Sequence, residues 1–315
     1  MEPGEVRRIH LRPRVTFPGA GPRVTAGAVL ASSLPRRVVL LSCLAGLTCD
    51  ASGDREISVR FAPLVGGRPF ACGQDFTGIG TGESTVTPLD FRMYVHDVAL
   101  IRGNGERVPL IVPDDGQWQR DGLVLLDFED GTGACMTGSP NTNLAIHGTA
   151  PAHSDYTGVE FIVGVPTVMN HLDGATAPAP LNAQGLWWSW SGGYKYIRLD
   201  MRPTAQQEFF YHLGATSCDG SVTDGFDCAF ANLAPIRLDG FDADADEIVI
   251  DAATVLAGVD VDRVPDGKTD SLPGCMAFPG DPECPAMMAP LGLGYETDTP
   301  AAAQTLFTLR ARAGE

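Results

Sequence analysis

The sequence predicts an all-β protein, a two-sheet sandwich with long irregular loops and disulfides, and three observations carry that expectation. Gly and Pro together occupy 61 of 315 positions, and charged residues make up only 19%, a composition of many turns between short elements. Several runs alternate apolar and polar residues with the period of a half-buried strand. Six cysteines beyond residue 50 suit a fold stapled by disulfides.

In the first run, Glu56 to Leu64, Ile57, Val59 and Phe61 alternate with Ser58 and Arg60. The same logic marks Asp90 to Leu100, Gly122 to Phe128, Gly158 to Val165, Tyr194 to Met201, Glu208 to Leu213, Pro235 to Phe241 and Glu247 to Ile250. Turn-forming stretches such as Gly103-Asn104-Gly105 and Pro113-Asp114-Asp115-Gly116 separate them. One helix is expected after Asp251, which can cap Ala252 to Leu256. The Pro- and Cys-rich tail beyond Val264 reads as a disulfide-pinned arm, and residues 55–300 read as a single β-rich domain.

Residues 1–50 read as an unstructured leader ending in an export signal. Arg36 and Arg37 precede a short apolar run to Cys49, the order of a secretory signal and too short for a stop-transfer helix. The run begins late, which suggests a true start near Leu34. Leu40-Leu41-Ser42-Cys43 resembles a lipoprotein cleavage box, so a lipid anchor and simple export both remain open. Either route places the mature bacterial protein in the periplasm, at the outer membrane or outside the cell.

Beyond Cys49 the chain carries 15 bases against 37 acids. Such a surface repels phosphate backbones, which argues against nucleic acid, and it concentrates cations. Cys218 and Cys228 enclose a short polar loop, as do Cys275 and Cys284, and Cys72 with Cys135 would then join distant segments. No spacing has the CxxC form of a zinc site or redox centre.

Three of the six His lie in strand-like segments or beside dense turns: His96, His171 and His212. His96 shares a strand face with Tyr94, opposite Phe91, Met93 and Val95, and His212 shares one with Phe210. Imidazoles from separate strands could form a copper- or zinc-type site, although isolated His residues in a sheet are ordinarily structural. Of the others, His10 lies in the leader, and His147 and His153 lie in loops. The segment Leu186 to Tyr196 concentrates three of four Trp, as a core strand, a sugar-stacking platform or a neighbour of a metal. The run Asp242, Asp244, Asp246 alternates like a calcium loop but lacks its Gly and final Glu, and reads as a solvated turn. Phosphate loops, a Gly-x-Ser-x-Gly elbow and a His-Glu-x-x-His helix are missing from the sequence, so an enzyme is not expected.

Taken in order, several segments resemble the MbnP-like family of periplasmic copper-binding proteins. They are Pro69 to Gly73, Phe91 to Val98 with Tyr94-Val95-His96-Asp97, Leu125 to Glu129, Gly164-Val165-Pro166 with Asn170-His171, Ala179 to Asn182, Trp188-Ser189-Trp190 leading to Gly193-Tyr194-Lys195, and His212-Leu213-Gly214 ending at Cys218. The resemblance implies an exported β-rich protein for copper acquisition or storage, with His96, His171 and His212 as ligands. It also implies Trp188 or Trp190 as a site of oxidation to kynurenine by a di-haem MauG-like partner. Asp97 or Asp173 would orient a ligand imidazole. The competing expectation is a carbohydrate- or surface-binding sandwich that uses Trp187 to Trp190.

Overall fold

The period-two pattern of the first run gives a strand, Asp54–Val65, whose Ile57, Val59 and Phe61 are buried. This computed structural model describes residues 53–312 apart from 137, 153–154, 206–207, 269–271 and 298. The leader and export signal, with His10, and the loop residue His153 lie outside the described residues. The outer half of the first strand pairs antiparallel with Ala145–Pro151. Its inner half runs parallel to Asp246–Asp251, which pairs antiparallel with Phe307–Ala311. These strands form the first sheet.

The second sheet is organised by one 19-residue strand, Ser84–Arg102. Along its length it pairs antiparallel with Ile197–Pro203, Leu123–Asp127 and Tyr156–Val163. Phe209–Leu213 and Ala234–Asp239 extend the sheet beyond those neighbours. The register slips between His96 and Ala99, where Asp97 takes a left-handed conformation at φ 52°. Such a bulge bends the strand locally.

The two sheets close on each other through aromatic contacts. Phe161 of the second sheet meets Phe61 of the first edge to face at 5.8 Å, and Phe307 of the first at 5.3 Å. Each ring, fully buried, contributes roughly 2–3 kcal/mol of apolar transfer. Strands occupy 45% of the described residues and helices 5%, so the all-β sandwich expectation holds.

Where structure and expectation differ, the reason lies in patterning. The loop expected between Cys218 and Cys228 is a hairpin of Thr216–Ser221 and Gly225–Phe230, with the two Cys directly opposite. Apart from the buried Thr216 at its start, its residues are half-buried or exposed on both faces, so no apolar period marks it. Ala145–Pro151, with an internal Gly and a terminal Pro, is likewise a strand that composition disguises. The tail is more than an arm: it supplies a helix, Cys284–Met288, with both Met buried, and the strand Phe307–Ala311. The Cys72–Cys135, Cys218–Cys228 and Cys275–Cys284 bonds are all present. Among the described residues no helix is long and apolar enough to cross a membrane.

Asp251 caps the helix Ala252–Leu256, accepting from the backbone N–H of Ala253 at 2.9 Å. Its carboxylate also accepts from Gly66 at 2.8 Å and Gly67 at 2.7 Å, a turn whose positive φ requires glycine. One side chain thus ties a strand turn to a helix start. Asp251→Ala should lower unfolding free energy by about 2–3 kcal/mol in urea titration, with Asp251→Asn recovering part. A change below about 0.5 kcal/mol would remove the cap from the account.

Candidate metal centre

On Ser84–Arg102 the even-numbered face carries charge within an apolar strand. Asp90 and Arg92 are buried there, joined by Arg92 Nε to Asp90 Oδ1 at 2.8 Å. Register places Arg198 opposite Arg92 and Asp200 opposite Asp90. Arg198 Nη1 reaches Asp90 at 3.1 Å while its Nε donates to Asp200 at 2.7 Å. His212, opposite Arg198 on the next strand, completes the line with Nε2 2.6 Å from Asp200 Oδ1. The result is an alternating buried series: Arg92, Asp90, Arg198, Asp200, His212.

Electrostatics follow from this order. Burial works to raise the Asp200 carboxyl, but the hydrogen bond from His212 and the Arg198 charge outweigh it and hold the group low. Burial pushes the His212 imidazole down despite Asp200. The ring is therefore neutral near pH 7, with its proton on Nε2 facing the carboxylate. Nδ1 then carries the lone pair, and it is buried without a hydrogen-bond partner.

What covers His212 is aromatic. Phe210 lies 5.2 Å from the ring and Trp188 6.3 Å. Trp188 presses against Gly214, where a Cβ would come within 2.4 Å of the indole, so only glycine admits this packing. Trp188 sits on a short hairpin of Trp187–Ser189 and Gly193–Tyr194. Asn170 ties it down by accepting from the Tyr194 N–H at 3.1 Å. Trp187 and Trp190 stand nearly perpendicular, 87° apart with ring centres at 5.8 Å, so they present no flat pair to a sugar.

His171 meets the same hairpin elsewhere. Its Nδ1 donates to the Trp190 carbonyl at 2.7 Å, and its ring stacks on Phe226 at 4.3 Å. Nε2 faces Asn170 Nδ2 at 3.2 Å and Cys228 Sγ at 3.4 Å. His96 is half-buried, with Nδ1 on the Gly164 carbonyl at 3.0 Å, and burial lowers its pKa despite that bond. In all three rings one nitrogen is committed to an oxygen acceptor, which leaves the other as a potential ligand.

The three rings do not converge. His212 sits at the level of Arg92, four residues from His96 along the long strand, a separation of about 13 Å at 3.3 Å per residue. Among the described residues, ligand atoms lie within 4.8 Å of one another in two groups: His171 with Cys218 and Cys228, and Cys72, Cys135 and Glu129. The expected orienting roles of Asp97 and Asp173 are also not seen. Asp97 pairs with Arg107 at 2.8 Å, and Asp173 accepts from Ala175 N at 3.0 Å and Thr176 Oγ1 at 3.2 Å. Sequence reasoning missed Asp200, yet a signal existed: Asp90-x-Arg92 and Arg198-x-Asp200 are complementary when antiparallel.

The MbnP family model matches residues 54–277. The fold is similar to MbnP from Methylosinus trichosporium, with a TM-score of 0.74 and 26% identity, covering 83% of this chain and 100% of that one. No curated protein matches the sequence.

Asp127, opposite Arg92, tests the electrostatics. Burial pushes its carboxyl up to about 8, with Arg92 opposing and Glu129 and Asp90 adding to the rise. Its Oδ1 is buried without a partner. The folded state thus holds a proton that the unfolded chain releases near pH 4, so stability falls as pH rises from there to about 8. Asp127→Asn should flatten that decline in urea titrations across the same range. An unchanged slope would show that Asp127 ionises normally.

Proposed function

The chain belongs to the MbnP family, and on that premise we propose that it is an extracytoplasmic copper-binding protein that acquires or stores the ion without catalytic turnover. The observation that carries this reading is His212 Nδ1, a buried, unpartnered nitrogen on a neutral ring locked by Asp200 and facing Trp188. Such a group fits a metal better than it fits an apolar core, where an unmet acceptor costs about 1–3 kcal/mol. Imidazole donors favour copper over zinc and nickel in the divalent series. When bound, copper would supply a redox-active or stored ion.

His212 would hold the ion through Nδ1. His171 offers Nε2 from the far part of the Trp hairpin, and His96 offers Nε2 at a separate place on the sheet. Trp188 rather than Trp190 is the residue beside His212, so it is the better candidate for oxidation to kynurenine by a MauG-like di-haem partner. Ring opening would give an amine and a carbonyl next to the imidazole. Trp190 is 43% exposed, which alone would suit a surface-binding sandwich, but its perpendicular setting against Trp187 gives no flat two-ring platform. Export, with or without a lipid anchor, accords with three disulfides.

Copper measured against protein in the oxidised exported form tests the reading. His212→Ala should abolish stoichiometric copper, and His96→Ala should leave the His212 site loaded. No copper above background in the wild type, or full loading of the His96, His171 and His212 triple variant, would sink the proposal. Intact and peptide mass of protein from its native host should place any oxidation at Trp188. Modification only at Trp190 would reverse that assignment.

A further inference from the structure

The disulfide hairpin has a feature that neither the fold nor the histidine reading requires. Cys218 and Cys228 face each other in the ladder, with Cα atoms 3.8 Å apart, and His171 Nε2 lies 3.4 Å from Cys228 Sγ. The two sulfurs and the imidazole nitrogen all fall within 4.8 Å of one another. We propose that the Cys218–Cys228 bond is reducible in the folded protein, and that its two thiolates and His171 then form a Cys2His site for a soft or borderline ion such as Cu(I) or Zn(II).

Geometry supports the site once the bond opens. Backbone pairing of the strands Thr216–Ser221 and Gly225–Phe230 sets the two cysteines opposite each other in addition to the S–S link. A tetrahedral ion with metal–sulfur bonds near 2.3 Å and metal–nitrogen near 2.0 Å sets its donors roughly 3.5–3.8 Å apart. The present sulfur-to-nitrogen distance is already close to that, so only the sulfurs must separate. His171 is prepared as well: Nδ1 donates to the Trp190 carbonyl at 2.7 Å, which leaves the lone pair on Nε2, where a bound ion would replace the Asn170 Nδ2 donor at 3.2 Å. Stacking on Phe226, from the same hairpin, fixes the ring plane.

Access makes the reduction selective. Cys218 and Cys228 are both half-buried, so either sulfur can be attacked, whereas the Cys72–Cys135 bond offers only the half-buried Cys72 and the Cys275–Cys284 bond offers neither sulfur. Thiol–disulfide exchange requires the attacking thiolate to reach a sulfur. The reductant is a dithiol, whether a small molecule or an exported protein. Two electrons enter the S–S bond, giving two protein thiols and the oxidised dithiol. Metal binding then displaces both thiol protons to solvent.

The experiment uses the full exported chain. Limiting dithiothreitol, followed by alkylation and peptide mass mapping, should label Cys218 and Cys228 before any other cysteine. Cd(II) added to the reduced protein should produce thiolate-to-metal charge-transfer absorbance. That band should vanish in the Cys218→Ser, Cys228→Ser double variant, and His171→Ala should weaken Cd(II) affinity at least about tenfold. His171→Phe keeps the stacking on Phe226 while removing the nitrogen, and should weaken it equally. Earlier labelling of Cys135 or Cys275, absence of the band, or unchanged affinity in both His171 variants would overturn the proposal. Copper lost from the oxidised protein in His212→Ala reads the His212 site, and Cd(II) absorbance of the reduced protein reads the cysteine site, so each reading can fail without the other.

Discussion

Everything at the candidate centre depends on a buried line of alternating charge. Asp90, Arg92, Asp200 and His212 have almost no exposure, and Arg198 links them across two strands. Charges so placed are tolerated only in pairs, since removing one partner strands the other in a low-dielectric interior at a cost of roughly 3–5 kcal/mol. The line also fixes register. A slip of one residue would send Asp90 and Arg92 to the opposite face, away from Arg198 and Asp200. Placement of His212, its tautomer and its bare Nδ1 are consequences of that constraint.

Strand alternation explains how much of this was legible in advance. Ile57, Val59 and Phe61 announce their strand because one face is apolar and the other is not, and the observed strand extends only slightly beyond the expected one. Asp251 announces its helix because a carboxylate directly before Ala-Ala-Thr-Val-Leu is placed to cap the first turn. The hairpin Thr216–Phe230 gave no such signal, since neither face is buried. Its cysteines could still be paired from spacing alone.

The candidate centre was legible in a different way. His212 and the Trp segment could be singled out as residue types, and the family resemblance joined them. Which His groups share a place is decided by register between strands distant in sequence, and no local period encodes that. Asp200 was overlooked because a charged residue inside Ile197–Pro203 looks like an outward position until its partner Asp90–Arg92 is aligned beside it. Asp97 was attractive as a neighbour in sequence, but the bulge turns it toward Arg107.

Selectivity follows from what the buried line withholds. An exterior with 37 acids against 15 bases beyond Cys49 attracts cations of every kind within about 8 Å of the surface, and so discriminates poorly. Hard ions such as calcium need several free oxygens. Near His212 the carboxylates are committed: Asp200 gives one oxygen to His212 and the other to Arg198, and Asp90 serves Arg92 and Arg198. The donor left over is Nδ1 of a ring whose centre lies 6.3 Å from that of an indole. On the proposed copper reading, a network that occupies its own oxygens would favour an ion that prefers imidazole, and the same pairing that stabilises the sheet would become the filter.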